Sequence, residues 1–280
     1  MAPDVMIAVL FGALLHSIWN ALVRGSPDRT LSIVLVAAGA GVITACWLPF
    51  APLPNVQSLP YLAASVGIHI VYFALVAFAY RKGELSFAYP IMRGTAPALS
   101  AIAAALVLGE WPSPGGSLGV LLVCCGVILL AVDSMRSQSF HASSALFALA
   151  NAGVIVVYTL VDGVGARLSE HPLSYTGWIL LLTALPLLAM SVAHDGANTI
   201  RYLQRQWARG LIGGACTFGS YGLALWAMTR APLALVAALR ETSVVFAMIL
   251  AATFLRERIT PARFASIFIV TAGAVAMKVS

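Results

Sequence analysis

The chain has 280 residues, of which 61% are apolar and only 9% charged, and its mean hydropathy is +0.94. A soluble domain carries roughly 25% charged residues, so this composition excludes a water-soluble globule and points to an all-α integral membrane protein with the lipid bilayer as partner. The formal charge of +6 is spread singly over short connections without interleaved aromatics, which excludes nucleic acid as a partner.

A spanning helix needs about 20 mostly apolar residues. The runs that qualify, in chain order, are 4–23, 31–50, 60–80, 85–108, 114–132, 143–165, 173–193, 209–228, 233–255 and 261–279, which predicts ten transmembrane helices. The first run lacks a basic leader and a small-residue cleavage site, so it reads as an uncleaved span. It carries His16, Trp19 and Asn20, with His16 and Asn20 on one helix face. The third run carries His69 and Tyr72, three apart. In the fourth, Arg93 stands between Pro90 and Pro97, which soften the helix around the charge. The sixth carries Tyr158 and, near its end, Asp162. Between the seventh and eighth lies the longest connection, His194 to Trp207, which reads either as an interfacial segment or as a solvated loop. The ninth carries Arg240 and Glu241. Pro27-Asp28, Pro52 to Pro60, Pro112 to Pro114, His171-Pro172 and Thr260-Pro261 punctuate the connections.

Cys46, Cys124, Cys125 and Cys216 all fall inside apolar runs and read as small core residues. His16 and His69 lack carboxylate or thiolate company at ligand spacing, so no metal is implied. There is no GxxxxGK[ST] loop and no positioned nucleophile and base. The chain therefore implies no cofactor and no enzyme activity.

Arg93-Gly94-Thr95 recurs 147 positions later as Arg240-Glu241-Thr242. The same ungapped shift pairs Glu110 with Glu257, Pro114 with Pro261 and Gly126 with Gly273, and 10 of the 34 residues from Arg93 to Gly126 match. A repeat of this kind implies two copies, 1–132 and 143–279, of five helices each. An odd number per copy inverts the second, so the fold class is two inverted five-helix repeats. Arg93 and Arg240 then enter from opposite faces and each reaches about 10–12 Å deep, near the midplane, where secondary transporters place substrate.

Two further patterns carry a resemblance. The first helix reads His16-Ser17-Ile18-Trp19-Asn20 followed by Arg24, with a looser copy in Tyr158-Thr159-Leu160-Val161-Asp162 and Arg167. The fourth and ninth runs end as Val107-Leu108-Gly109-Glu110-Trp111-Pro112 and Phe254-Leu255-Arg256-Glu257-Arg258-Ile259-Thr260-Pro261. Over essentially its whole length the chain resembles the EamA-type ten-span members of the drug/metabolite transporter superfamily. The resemblance implies a multi-pass protein of the cell (inner) membrane, working as a secondary transporter of a small polar metabolite by alternating access, with export the commoner role. An anionic or zwitterionic solute fits two midplane arginines best. The alternative readings are a lipid-carrier flippase and a multidrug or cation exporter.

A guanidinium keeps its proton at any usable pH, and a charge at the bilayer centre costs at least about 2.5–3.5 kcal/mol. Arg93 and Arg240 therefore either lock helices as buried ion pairs, with Glu241 or Asp162 as partner, or bind a carboxylate or phosphate of the substrate. Glu241 points about 100° away from Arg240 on a helix and is a candidate proton carrier or a structural partner; Asp162 is the second proton-coupling candidate. His16, Trp19, Asn20, His69, Tyr72 and Tyr158 either line the central cavity or hydrogen-bond between helices. Glu110 and Glu257 sit unfavourably at helix C-termini and are expected to cap the next helix start, near Pro114 and Pro261, or to pair with loop cations such as Arg258. Gly115 and Gly119, with Ala272, Gly273 and Ala276, give faces for close packing between the halves, in a monomer or a homodimer. Eleven cations fall on connections 1–2, 3–4, 5–6, 7–8 and 9–10. Positive-inside counting then places both termini outside, whereas the resemblance implies cytoplasmic termini.

Overall fold

The computed structural model describes residues 1–81, 85–135, 142–254 and 260–279; residues 74, 76–81, 85–94, 131, 134–135, 142–149, 251 and 254 are described by their backbone alone. The described residues form helices α1 (Pro3–Arg24), α2 (Arg29–Trp47), α3 (Leu59–Arg81), α4 (Leu85–Leu108), α5 (Pro114–Met135), α6 (Ala142–Leu168), α7 (Pro172–Met228), α8 (Leu233–Arg240), α9 (Ser243–Phe254) and α10 (Pro261–Val279), with short 3₁₀ turns at Leu48–Phe50 and Val56–Ser58. No strand occurs among them. Seven of the described helical stretches are long and apolar enough to cross a membrane, and Thr95–Leu108 and Pro114–Leu130 are shorter apolar helices. Ile7, Leu106, Phe264 and Phe268 are more than half exposed. On a soluble protein such a surface would aggregate; here it faces lipid. The molecule is a multi-pass membrane protein.

The helix ends follow their punctuation. The Asp28 side chain accepts from Leu31 N–H at 2.9 Å and caps α2, while prolines open α5, α7 and α10. Gly109 ends α4 with φ +68°, and nothing crowds its missing Cβ, so its backbone conformation alone requires glycine. The borders follow the expected runs closely, with two departures. The connection from His194 to Trp207 is helical, so α7 runs on for 57 residues and bends where Asp195 and Gln206 leave helical φ/ψ. Thr199 Oγ1, bonded to Ser191 Oγ at 3.0 Å, and Tyr202, bonded to Ser26 Oγ at 2.5 Å, tie this bent stretch down.

The second departure is the ninth run, expected as one helix, which breaks after Arg240. Glu241 N donates to Ala238 O and Thr242 N to Leu239 O, both tightened three-residue bonds, and Thr242 Oγ1 also donates to Leu239 O at 2.7 Å. A threonine that satisfies a backbone carbonyl inside the turn competes with the regular helical ladder. The matching position in α4 stays helical through Arg93, Gly94 and Thr95.

In the interior, α1 lies against α7, α8 and α9, α6 against α3, α4 and α7, α2 against α7, and α5 against α10. The packing is close because small residues let backbones meet. A Cβ on Gly39 would stand 2.0 Å from Gly210 O, and one on Gly119 would stand 2.8 Å from Gly273 O. Helix α8 sits at the centre, with Leu233, Ala234, Val236, Ala238 and Leu239 at zero exposure.

Candidate substrate site

Helices α3, α6, α7 and α8 bring one polar residue set together inside this apolar frame. Tyr158 and Asp162 are four apart on α6, hence on one face. Helix α3 supplies Ser65, His69 and Tyr72 to that face. The His69 ring lies 4.8 Å from Tyr158 and 5.8 Å from Tyr221 of α7, and Tyr72 lies 5.9 Å from Tyr158. His69 Nδ1 bonds Ser65 O at 2.9 Å. A carbonyl can only accept, so Nδ1 carries the hydrogen in that bond.

Asp162, expected near the end of its span, is fully buried. Its Oδ2 accepts a hydrogen bond from the Tyr221 hydroxyl, while its Oδ1 is buried without a partner. Tyr221 has a second duty. The Arg240 guanidinium carbon stands 5.5 Å from the centre of its ring, so one tyrosine links the carboxyl by its edge and the cation by its face. Arg240 ends α8 and is half-buried; among the described residues no carboxylate oxygen lies within 4 Å of it. Of the two partners expected for an Arg240 ion pair, Asp162 is reached only across Tyr221. Glu241 is buried and lies near Cys124 of α5.

His16 and Trp19 meet edge to face at 5.1 Å, and Asn20 Nδ2 donates to His16 O at 2.9 Å. This trio forms its own group on α1. Arg93 lies on α4, which packs against α6 and α8, but its side chain lies outside the described residues, as does Glu257. A recess of about 310 Å³ lined by Ser113, Gly115, Ala276 and Val279 lies at the ends of α5 and α10, away from the polar set. No three His, Cys, Asp or Glu side chains group as a metal site among the described residues.

Glu110 behaves differently from expectation. It caps a helix start, yet not the one next in sequence: Oε2 accepts from Leu233 N–H at 2.9 Å, at the head of α8. Its other oxygen pairs with Arg167; Arg258, the loop cation expected as a partner, lies outside the described residues. Arg167 Nε in turn donates to Met228 O at 2.7 Å. Gly109 turns the chain so that a carboxylate ill-placed at the end of α4 reaches a helix N-terminus, where the dipole favours it. The clamp fastens the ends of α4, α6 and α7 to the start of α8, the helix that carries Arg240.

Tyr221 and Tyr175 escape the sequence reading because a tyrosine in an apolar run looks like core. The available signal is that a mid-span hydroxyl needs a partner, and Tyr221 is the one tyrosine in 209–228.

Residues 142–278 match the family model of the EamA-like transporter family. No curated protein matches the chain. Among solved structures 28 chains match. One crystal structure superposes with a TM-score of 0.76 at 16% identity, covering 100% of this chain and 98% of that one, so the fold is shared over the full length.

Proposed function

We propose that this multi-pass membrane protein, whose residues 142–278 match the EamA-like transporter family model, is a secondary transporter of a small anionic or zwitterionic metabolite in the inner cell membrane. The observation that carries this reading is Arg240, half-buried and stacked on Tyr221 at 5.5 Å, with no carboxylate oxygen within 4 Å among the described residues. A cation on an aromatic face recovers about 0.5–2 kcal/mol, less than the roughly 2.5–3.5 kcal/mol that a midplane charge costs. The deficit is met by an anion that comes and goes. His69, Tyr72 and Tyr158 supply the aromatic and hydrogen-bonding wall beside it, Arg93 is the second cation by its repeat position, and His16, Trp19 and Asn20 extend the site along α1.

The architecture in this reading is ten spans in two inverted repeats, with α7 counted as two spans around its bends and α8 with α9 as one. The helix neighbours support it. The first helix of each copy lies against the fourth of the other, α1 on α8 and α9, α6 on α4, and the two fifth helices, α5 and α10, pair with each other. A two-fold axis between the copies produces this exchange. The connections also sort by face: Ser26 meets Tyr202, while Asn55 meets Glu170, as alternating helix directions require.

The test is counterflow in proteoliposomes with labelled amino acids, dicarboxylates and phosphonates, and cationic dyes as controls. Anionic or zwitterionic solutes are expected to exchange and the dyes not. Efficient movement of a lipophilic cation would overturn the charge argument.

A further inference from the structure

Asp162 is held in a way that neither substrate binding nor helix packing explains. The carboxyl is at zero exposure, receives one hydrogen bond, from Tyr221, and has a second oxygen, Oδ1, buried without a partner. Beside the same carboxyl lies the Tyr175 hydroxyl, also buried without a partner. Tyr175 gets there because Gly165, three residues after Asp162 on α6, has no side chain: a Cβ there would stand 2.1 Å from the hydroxyl oxygen. Two orphaned polar atoms thus face one another, next to a bond already made.

The charges around Asp162 come from every neighbouring element. Helix α3 contributes His69, whose Nδ1 is committed to Ser65 O, the Ser65 hydroxyl beside the carboxyl, and Tyr61 beside Tyr175; α6 itself contributes Tyr158 beside Tyr221; α7 contributes Tyr175 and Tyr221; α8 contributes Arg240 across the Tyr221 ring; α4 contributes the position of Arg93. No cation among the described residues makes contact with the carboxyl within 4 Å. A fully buried ionised carboxylate with so few hydrogen bonds and no ion pair among the described residues is strongly unfavourable, whereas a neutral acid is an ordinary buried polar group.

We propose that Asp162 is the proton-carrying group of this transporter, protonated in this state, with Tyr221 donating to Oδ2 and the Tyr175 hydroxyl the polar neighbour toward which Oδ1–H is directed. A small approach of the Tyr175 hydroxyl to Oδ1 gives the neutral acid its second hydrogen bond, and when the proton leaves Tyr175 turns its own hydrogen toward Oδ1. What changes is the charge facing Arg240. Ionised Asp162 neutralises Arg240 through Tyr221 and competes with a substrate anion; protonated Asp162 leaves Arg240 for that anion. Proton and anion therefore bind together and travel in the same direction. The protonation part stands on this geometry, and the coupling part rests on the transport reading above.

Infrared spectroscopy of the purified protein in liposomes, without any solute, tests the proton site. The difference between wild type and Asp162→Asn at neutral pH should contain a protonated-carboxyl stretch that disappears at alkaline pH, and Tyr175→Phe should shift that band as its hydrogen bond is lost. A difference spectrum without the band at neutral pH overturns the proposal. If Asp162→Asn does not fold, the wild type minus Tyr175→Phe difference decides, and no carboxyl shift there overturns it equally. The coupling arm uses whichever labelled amino acid, dicarboxylate or phosphonate exchanges in counterflow: its accumulation driven by a pH gradient, acid side to alkaline side, should be lost in Asp162→Asn, and the exchange rate should lose its pH dependence. Gradient-driven accumulation that persists in a folded Asp162→Asn overturns the coupling. A carboxyl band with no solute transported at all would instead remove the transport reading and leave the proton site standing.

Discussion

Replacing Glu110 separates a fastening from a decoration. Its Oε2 is the acceptor for Leu233 N–H, a donor at the buried start of α8, and Oε1 pairs with Arg167 where the two side chains are 30% (Arg167) and 21% (Glu110) exposed. Glu110→Ala removes a helix cap worth about 0.5–2 kcal/mol and a partly screened ion pair worth about 0.2–1 kcal/mol. Together the loss is about 1–3 kcal/mol, or roughly 5- to 150-fold in the folding equilibrium. Glu110→Gln keeps a carbonyl for Leu233 N–H and gives up mainly the charge, so its cost stays near the ion-pair figure. Equilibrium denaturation in mixed micelles, read by tryptophan fluorescence, should rank wild type above Glu110→Gln and both above Glu110→Ala. Wild-type stability in Glu110→Ala, or equal damage from the two substitutions, would refute the cap as the reason Glu110 is there.

Gly39→Leu should abolish folding, seen as aggregation on detergent gel filtration, since even its Cβ meets Gly210 O at 2.0 Å; a monodisperse, stable variant would show that α2 and α7 have room to spare. Tyr221→Leu should raise KM for a transported anion about 2- to 30-fold, the range of a lost cation–π contact, while Tyr221→Phe, which keeps the ring under Arg240, should raise it less. Equal effects would mean that the hydroxyl, and not the ring face, guides Arg240. Glu241→Gln should still accumulate solute along a pH gradient, because in this account Asp162 carries the proton; loss of gradient-driven accumulation would return the proton to Glu241.

The helices were legible because a bilayer demands about 20 apolar residues per crossing and proline marks the ends. Arg240, His69, Tyr72, Tyr158 and Asp162 could be picked out because polar groups in such runs are costly, and the structure gathers all five through Tyr221. What pairs with what was not legible. Glu110 finds Arg167, 57 residues on, and the head of α8, 123 residues on; such partners are set by tertiary packing, which periodicity does not encode. The break after Arg240 was hidden in the same way, since Arg-Glu-Thr in an apolar run reads as helix until Thr242 spends its hydroxyl on Leu239 O. Asp162 looked peripheral by counting along its helix, and only the approach of Tyr175 over Gly165 shows how deeply it is enclosed.

The most direct test of the account is anion counterflow by Arg240→Gln, measured beside its thermal stability in detergent. If Arg240 binds the travelling anion, the variant folds as well as wild type, because no carboxylate among the described residues loses a contact partner, and exchange of every anionic solute disappears. Wild-type exchange in a folded Arg240→Gln would contradict the account, and a variant that unfolds would show that Arg240 holds the helices instead.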